Sequence, residues 1–229
     1  PFEPINMGNN INTKLDEYHP SITVDGKTLV YTGKDYIGKA PNGKPIFKED
    51  LYYSRKSTDD DWAKSINFRG PINTRNYNEG ASSISHDGKY LFFTACNRED
   101  GLGSCDLYIS LKEGGSWVKP QNMGSKINSG AWESHPSLSP DGETLYFASN
   151  RPGGKGKTDI WKSIKDENGI WQKPVNMEIN TPGSDQTPHI HADGRTFYFS
   201  SNGRPGMGAH DIYVSRLNEK GEYSNPKNL

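Results

Sequence analysis

The sequence repeats itself four times, and this repeat limits the possible folds more than any other feature. In each unit an Asp-Gly pair is followed by a short apolar run, and a second Asp then opens another β-like run. The unit length is about 50 to 60 residues, which is typical of folds built from stacked, similar units. The Asp-Gly pairs are Asp25-Gly26, Asp87-Gly88, Asp141-Gly142 and Asp193-Gly194, and the second aspartates are Asp50, Asp106, Asp159 and Asp211.

A third marker closes each unit, in which an aromatic residue is followed five residues later by an asparagine. These pairs are Trp62 and Asn67, Trp117 and Asn122, Trp171 and Asn176, and Tyr223 and Asn228. We therefore divide a single domain, residues 1–229, into units at residues 9–70, 71–124, 125–178 and 179–229. Residues 4–8 match residues 120–124, so we interpret residues 1–8 as the tail of a preceding unit or as a closing strand.

Each unit is predicted to contain four short strands and almost no helix, since no window shows a sustained period of 3.6 residues. In the third unit the strands are placed at residues 135–139, 144–149, 159–163 and 170–173. The Asp-Gly pair joins the first two strands in a tight turn in which Gly takes a positive φ. The fold class is therefore predicted to be all-β, a β-propeller with four four-stranded blades. Four blades that close on themselves is the direct interpretation, and part of a longer propeller is the alternative.

The composition fits a thin, aromatic-rich core. Only 31% of the residues are hydrophobic, but the chain holds 12 Tyr, 8 Phe and 5 Trp. Each aromatic side chain can bury about 150–250 Å². The formal net charge is −1 without basic clusters, which argues against a nucleic-acid partner. No run of about 18 apolar residues occurs, so we expect no direct membrane insertion.

Residues 137–154 read Ser-Leu-Ser-Pro-Asp-Gly-Glu-Thr-Leu-Tyr-Phe-Ala-Ser-Asn-Arg-Pro-Gly-Gly and are followed by Asp159-Ile-Trp. This pattern resembles the PD40, or WD40-like, repeat of the TolB-type propeller, and the resemblance covers essentially the whole chain. The second unit, residues 93–108, resembles a narrower group, the OmpA-family cell-envelope proteins of Bacteroidota, which include a lipoprotein of the type IX secretion and gliding machinery. The first unit departs from the pattern and carries residues 34–48 instead of the Ser-Asn-Arg-Pro-Gly loop.

The resemblance implies a non-catalytic, periplasmic scaffold that binds a protein or peptide in the cell envelope. The parent protein would be associated with the outer membrane, and any peptidoglycan binding would belong to an OmpA-type domain outside this chain. The alternative is a propeller-type carbohydrate-active enzyme, which two non-repeat carboxylates across a deep pocket would favour. The sequence has no Gly-x-Ser-x-Gly elbow, and nearly all the acids noted are repeat residues, so we predict no catalytic residue and no enzyme activity.

A carboxylate stands eight residues before each Asp-Gly pair, and two roles are open to it. The four acids could ring the mouth of the channel and bind a cation or a basic peptide. They could instead pair across blades with the arginines of the loops between second and third strands, and their repetition in every unit favours this structural role. The acids are Glu17, Glu79, Glu133 and Asp185, and the arginines are Arg98, Arg151 and Arg204. The second Asp of each unit is interpreted as a turn or interblade hydrogen-bonding group.

The two cysteines, Cys96 and Cys105, flank one loop of the second unit. They enter adjacent antiparallel strands, where the Cβ separation suits a disulfide, so we predict a bridge and an oxidising compartment. Reduced thiols in a cytosolic protein are the alternative. His189 and His191 could face the same side of a strand, but alternate residues do so in any strand, and no metal or cofactor is predicted. Residues 59–61, all Asp, are interpreted as a solvated turn.

Residues that break the repeat are better candidates for binding a partner. Tyr18, Tyr77, Trp132 and the loop at residues 36–47 differ between units. Aromatic and Arg side chains are enriched at binding hot spots, so we predict a docking surface from these aromatics together with Arg98, Arg151 and Arg204. Ordinary packing between blades is the alternative.

Overall fold

The computed structural model describes residue 3, residues 5–57 and residues 61–229. Within these ranges the regular structure is entirely β, with seventeen strands, and no helix there is long and apolar enough to cross a membrane. Of the predicted Asp turn, residues 59 and 60 lie outside the described residues, and Asp61 is exposed.

The strands form four antiparallel sheets, each made by one unit of the repeat. The first sheet contains β1 (Glu17–Ile22), β2 (Thr28–Lys39), β3 (Pro45–Arg55) and β4 (Ile66–Asn67). The second contains β5 (Asn78–Ile84), β6 (Tyr90–Cys96) and β7 (Cys105–Glu113), with β8 (Ser116–Trp117) and β9 (Gln121–Asn122) both pairing with β7. The third contains β10 (Glu133–Leu138), β11 (Thr144–Ser149), β12 (Asp159–Ile164) and β13 (Val175–Asn176). The fourth contains β14 (Asp185–Ile190), β15 (Thr196–Ser201), β16 (Asp211–Arg216) and β17 (Lys227–Asn228). The predicted all-β propeller with four blades is confirmed.

The outermost strand of the third unit is not where the sequence placed it. Residues 170–173 form no strand, and Trp171 makes only an isolated bridge with Lys165. The strand lies instead at Val175–Asn176, because the Asn176 side chain donates a hydrogen bond of 2.9 Å to Asp159 at the start of β12. The aromatic marker therefore precedes the edge strand rather than forming it.

The segment expected to be a loop in the first unit is a long hairpin. Strands β2 and β3 continue their pairing out to Lys39 and Pro45. The exposed rings of Tyr36 and Phe47 lie opposite each other and meet edge to face at 6.0 Å, and this cross-strand contact stabilises the extension. The sequence analysis missed the hairpin because two Gly and two Pro interrupt the segment and resemble a loop.

Apolar clusters fill three of the junctions between neighbouring blades. Leu51 of the first blade packs with Leu91 and Phe93 of the second. Phe92 of the second packs with Leu145 of the third. The junction of the third and fourth blades is built in the same way by Tyr146, Ile160, Phe197 and Phe199. Large aromatic residues thus compensate for the low number of aliphatic ones.

An asparagine locks each of these three junctions. The segment before each inner strand begins Ile-Asn-Thr or Ile-Asn-Ser, and we call residues 72–79, 127–133 and 179–185 the clasp loops. In the first clasp loop the Asn73 side chain accepts from Leu51 N at 2.9 Å and donates to Leu51 O at 2.8 Å. Asn128 does the same for Leu107, and Asn180 for Ile160. One amide side chain therefore completes the backbone hydrogen bonding of the preceding blade's third strand.

The junction between the fourth and first blades is different. Among the residues that the structure describes, no hydrogen bond and no apolar cluster joins these two blades. Ile212, which corresponds to the fully buried Leu51, Leu107 and Ile160, is 57% exposed. The closure of the ring that we expected from four units is therefore not made in the structure.

We expect Asn128→Ala to destabilise the protein by about 2 kcal/mol, because it leaves the buried Leu107 N–H without a partner and removes one of the two hydrogen bonds to the Leu107 C=O. Equilibrium unfolding in urea measures the change. The matched control is Asn12→Ala, since Asn12 occupies the same position in the first unit but contacts no preceding blade. Equal losses in the two variants would contradict the role assigned to the clasp.

Candidate functional site

The inner strands β1, β5, β10 and β14 surround a cavity of about 430 Å³ on the propeller axis. Its lining consists of His, Ser, Thr, Pro, Gly, Ala and aliphatic residues, without Asp, Glu, Lys or Arg. Ile22 and Val24 of the first blade stand half exposed among these residues. The cavity therefore contains no carboxylate, ammonium or guanidinium group and offers hydroxyl and imidazole groups next to apolar surface.

Every inner strand bulges at the same position of the repeat. The bulge residue has a left-handed backbone although it is never Gly, and such conformations are strained. A β-bulge redirects a side chain, and all four of these residues line the cavity. The four residues are His19, Ala81, His135 and Thr187, with φ values of 50°, 45°, 56° and 51°.

A row of four rings crosses the axis below the cavity. His19 of the first blade and His135 of the third meet with ring centroids 4.3 Å apart. Tyr18 packs edge-on against His19, and Trp132 edge-on against His135, both at 5.3 Å. We call Tyr18, His19, His135 and Trp132 the axial aromatic row. It joins two of the three aromatics predicted to bind a partner, whereas Tyr77 lies apart, with its hydroxyl 3.5 Å from Glu99.

The two histidines of the row are neutral at pH 7. Burial lowers the pKa of His135 to about 3, and burial also lowers the pKa of His19. The Nδ1 atom of His135 is buried and has no hydrogen-bond partner among the described residues. The row thus presents an unused polar atom at the axis without adding charge.

The acids do not form a ring at the channel mouth, and this prediction is wrong. Glu79, Glu133 and Asp185 are fully buried, and Glu17 does not line the cavity. Each acid accepts from the hydroxyl of the Thr or Ser four or five residues earlier, at 2.6 to 2.8 Å, and so shapes its own clasp loop. The carboxylates point into the blade junctions because those hydroxyls and backbone N–H groups are their donors.

The three arginines are also structural, so their predicted place on a docking surface is wrong. Arg98 forms a 2.9 Å ion pair with Glu79, and Arg151 a 3.2 Å pair with Glu133. Their side chains are only 9% and 11% exposed. Each of the three guanidinium groups lies over an aromatic ring of its own blade. Each also donates a hydrogen bond to the carbonyl of the clasp-loop isoleucine, which is Ile72, Ile127 or Ile179. The pairing with acids expected as the alternative exists, but within one unit rather than between blades.

The second Asp of each unit organises the loop between its second and third strands. Asp106 accepts from Leu102 N at 2.8 Å, Asp159 from Gly156 N at 3.0 Å, and Asp211 from Met207 N at 3.1 Å. Asp50 instead contacts Lys48 and Asn67, since the hairpin replaces that loop in the first unit.

Cys96 and Cys105 are directly paired on β6 and β7 and form a disulfide, with Cα atoms 3.9 Å apart. Within the described ranges no group of three His, Cys, Asp or Glu is placed to hold a metal ion, and this includes His189 and His191.

Two features of the site escaped the sequence reasoning. The clasp had a visible signal, because Ile-Asn-Thr or Ile-Asn-Ser recurs at residues 11–13, 72–74, 127–129 and 179–181. The bulges had none, since the left-handed residues are His, Ala and Thr rather than Gly.

Comparison with known proteins identifies the fold and no closer relationship. No protein-family model matches the sequence, and no curated protein sequence matches it. TolB from Acinetobacter baumannii superimposes with a TM-score of 0.59 at 19% identity, over 96% of this chain and 45% of that one. A putative TolB from Agrobacterium tumefaciens gives 0.54 at 19% identity, over 95% of this chain and 62% of that one.

An α-L-arabinofuranosidase from Lactobacillus brevis gives a TM-score of 0.58 at 12% identity, over 90% of this chain and 74% of that one. The chain therefore has a TolB-like β-propeller fold and spans less than two thirds of both TolB chains. Because all three identities are low and the proteins differ in kind, this similarity concerns the fold alone.

We expect acid to destabilise the protein through His135. Its pKa in the folded state is about 3 against an ordinary 6.5, so the unfolded chain takes up the proton first. Stability is then full above pH 6.5 and falls as the pH drops, by about 2 kcal/mol between pH 7 and pH 5. Urea unfolding at both pH values measures this change. The free energy of unfolding of His135→Gln should fall distinctly less between pH 7 and pH 5 than that of the wild type. Equal losses would show that His135 does not carry the effect.

Replacing both cysteines by Ser should destabilise the protein by about 2.5 kcal/mol, because the bridge closes a short loop in the unfolded chain. Urea unfolding compares the oxidised protein with the double variant. Adding a reductant should lower the free energy of unfolding of the wild type to that of the variant and leave the variant unchanged. A reductant without effect on the wild type would argue against the bridge.

Proposed function

We propose that this chain is a non-catalytic protein-binding module that receives a neutral peptide segment of its partner in the axial cavity. The observation that carries the proposal is the cavity itself, which all four blades line and which contains no Asp, Glu, Lys or Arg side chain. A site of this kind binds through apolar contact and a few placed hydrogen bonds. The bulge residues His19, Ala81, His135 and Thr187 differ between blades and give it an asymmetric surface.

The chemistry of the lining indicates the type of partner. Ile22 and Val24 offer exposed apolar surface on one side, and His189 and His191 lie on another. A peptide with an apolar side chain and free backbone groups would satisfy both. A strongly charged segment would lack a counter-charge inside the cavity, so the partner's own charges would remain at the rim.

We place this function in the periplasm. The Cys96–Cys105 disulfide requires an oxidising compartment to persist, and the TolB-like fold is consistent with an envelope protein. The resemblance of the second unit to OmpA-family proteins of Bacteroidota supports a role in an envelope assembly of the type IX secretion or gliding kind, held at the outer membrane by the parent protein. Peptidoglycan binding would lie outside these residues.

The alternative, a propeller enzyme acting on carbohydrate, has less support. Such an enzyme needs two carboxylates facing each other over a substrate. The acids of the four units are instead engaged in clasp loops and Asp-Gly turns, and none lines the axial cavity.

The proposal predicts that Val24→Asp weakens partner binding at least about tenfold, because it puts a charge on the rim of a neutral site. The partner is first captured from a Bacteroidota envelope extract with the wild-type chain, identified, and titrated as a purified protein. The matched control is Val175→Asp, a similarly exposed valine on the outermost strand β13, which should bind as the wild type does.

Three results would contradict the proposal. The first is equal binding by both variants and the wild type, which would place the contact elsewhere. The second is the absence of any partner from the extract. The third is hydrolysis of an envelope polysaccharide by the wild-type chain.

A further inference from the structure

The three complete junctions are built by the same set of contacts. The clasp asparagine brackets a buried apolar residue of the preceding third strand, which is Leu51, Leu107 or Ile160. In addition, a serine of one inner strand accepts from a backbone N–H of the next: Ser21 from Ile84, Ser83 from Leu138 and Ser137 from Ile190, at 3.1 to 3.3 Å. A unit seated on the fourth blade should repeat the clasp contact, which is the one that uses the backbone of the third strand.

The outward face of the fourth blade presents the third strand of such a junction, but no clasp loop packs on it among the described residues. Ile212 stands where Leu51, Leu107 and Ile160 stand, but no asparagine brackets it and it is 57% exposed. Tyr198, at the position of the buried Phe92 and Tyr146, is only half-buried. The face therefore presents the residue that a clasp asparagine would bracket, although His189 stands where the other inner strands have Ser21, Ser83 and Ser137.

Gly208 also indicates that a clasp loop is absent from the fourth blade. At the equivalent Gly103 and Gly156, a Cβ would collide with the carbonyl of the next clasp loop, that of Ala131 or Gly183. At Gly208 the nearest such atom is 4.0 Å away and belongs to its own loop. The fourth blade thus has the glycine that close approach demands, but no neighbour approaches it here.

The first blade presents the other side of such a junction, the clasp asparagine. Without a preceding third strand, this asparagine bonds to the backbone of its own segment. Asn12, at the clasp position, accepts from Met7 N at 3.1 Å instead of bracketing a third strand. At the position of Met7 in three other units, the N–H groups of Phe68, Met123 and Met177 donate to Leu51, Leu107 and Ile160. Met7 N and the Asn12 side chain therefore form a hydrogen bond with each other, whereas in the other units both equivalent groups bond to a third strand.

The chain contains one more outer-strand segment than it has sets of inner, middle and third strands. Four units each supply an inner, a middle and a third strand, but the chain contains five outer-strand segments of the form x-Asn-apolar. They are residues 5–7, 66–68, 121–123, 175–177 and 227–229. The last four pair with a third strand, whereas residues 5–7 form no strand and Ile5 is 89% exposed.

We propose that the seam between the fourth and first blades binds a three-stranded segment of this same repeat, completing a fifth blade whose outermost strand is residues 5–7. Its clasp loop brackets Ile212, and its third strand is bracketed in turn by Asn12. An apolar residue of that strand extends the buried cluster of Ile11, Leu29 and Tyr31, as Leu51 belongs to the cluster of Ile72, Leu91 and Phe93. The surplus outer strand distinguishes this occupant from a second copy of the chain and from closure of the seam on itself, because neither of those would use residues 5–7.

The test extends the full chain at Leu229 with a second copy of residues 178–217, which contain a clasp loop and three strands. Hydrogen exchange is followed at Ile212 and at residues 5–7. Both sites should exchange about 100-fold more slowly in the extended chain than in the original chain, because formed junctions protect their amides. The matched control carries Asn180→Ala and Asp185→Ala in the added copy and should leave Ile212 unprotected.

The other outcomes overturn the proposal. Protection of Ile212 in the original chain as a monomer would mean that the ring closes on itself. Protection that rises with concentration, together with a dimer by sedimentation, would mean that a second copy fills the seam. An extension that leaves Ile212 and residues 5–7 unprotected, while Leu107 and Ile160 remain protected, would show that the seam does not accept a repeat unit.

Discussion

The bidentate hydrogen bond between a clasp asparagine and the backbone of the preceding third strand is the interaction on which the rest of the structure depends. A blade is a small sheet whose faces are apolar, so neighbours could slide over each other if only side chains met. Asn128 removes that freedom, because it reproduces on its side chain the donor and acceptor that another strand would offer to Leu107. The apolar clusters supply the driving force for stacking, and the clasp fixes its register.

The charged residues of the repeat serve the same contact. Glu133 organises the clasp loop from its far end, and Arg151 ties that loop to its own blade while lying over Phe147 and Trp161. A buried acid left alone would be costly, but here the Ser129 and Ser149 hydroxyls, a backbone N–H and a guanidinium all satisfy it. This arrangement explains why acids and arginines recur in the units without forming a ligand site, and why Arg98 and Glu79 are paired so closely.

The sequence predicted the architecture well and the site less well, for a physical reason. Asp-Gly turns and alternating apolar runs act locally, so Gly142 and the strands around it could be placed from spacing alone. The direction of the Glu133 side chain depends on a hydroxyl in the clasp loop and on the twist of the blade, which spacing does not show. Likewise His19 and His135 are 116 positions apart in the chain, and only the stacking of three blades brings their rings together. The contact across the axis therefore could not be foreseen from the spacing of the two histidines.

The bulge at the axis shows how a repeat protein can acquire a specific site without losing its fold. In every unit the backbone at this position has nearly the same left-handed φ, from 45° to 56°, although the side chain changes from His to Ala to Thr. The strain is therefore set by the register of inner and middle strands, and the clasp and serine contacts that maintain this register lie elsewhere. Because the fold demands only the backbone geometry there, the side chain is free to vary, and the cavity can differ on each of its four sides. The bulge side chains, which differ between units, thus line the cavity, where the structural contacts require least of them.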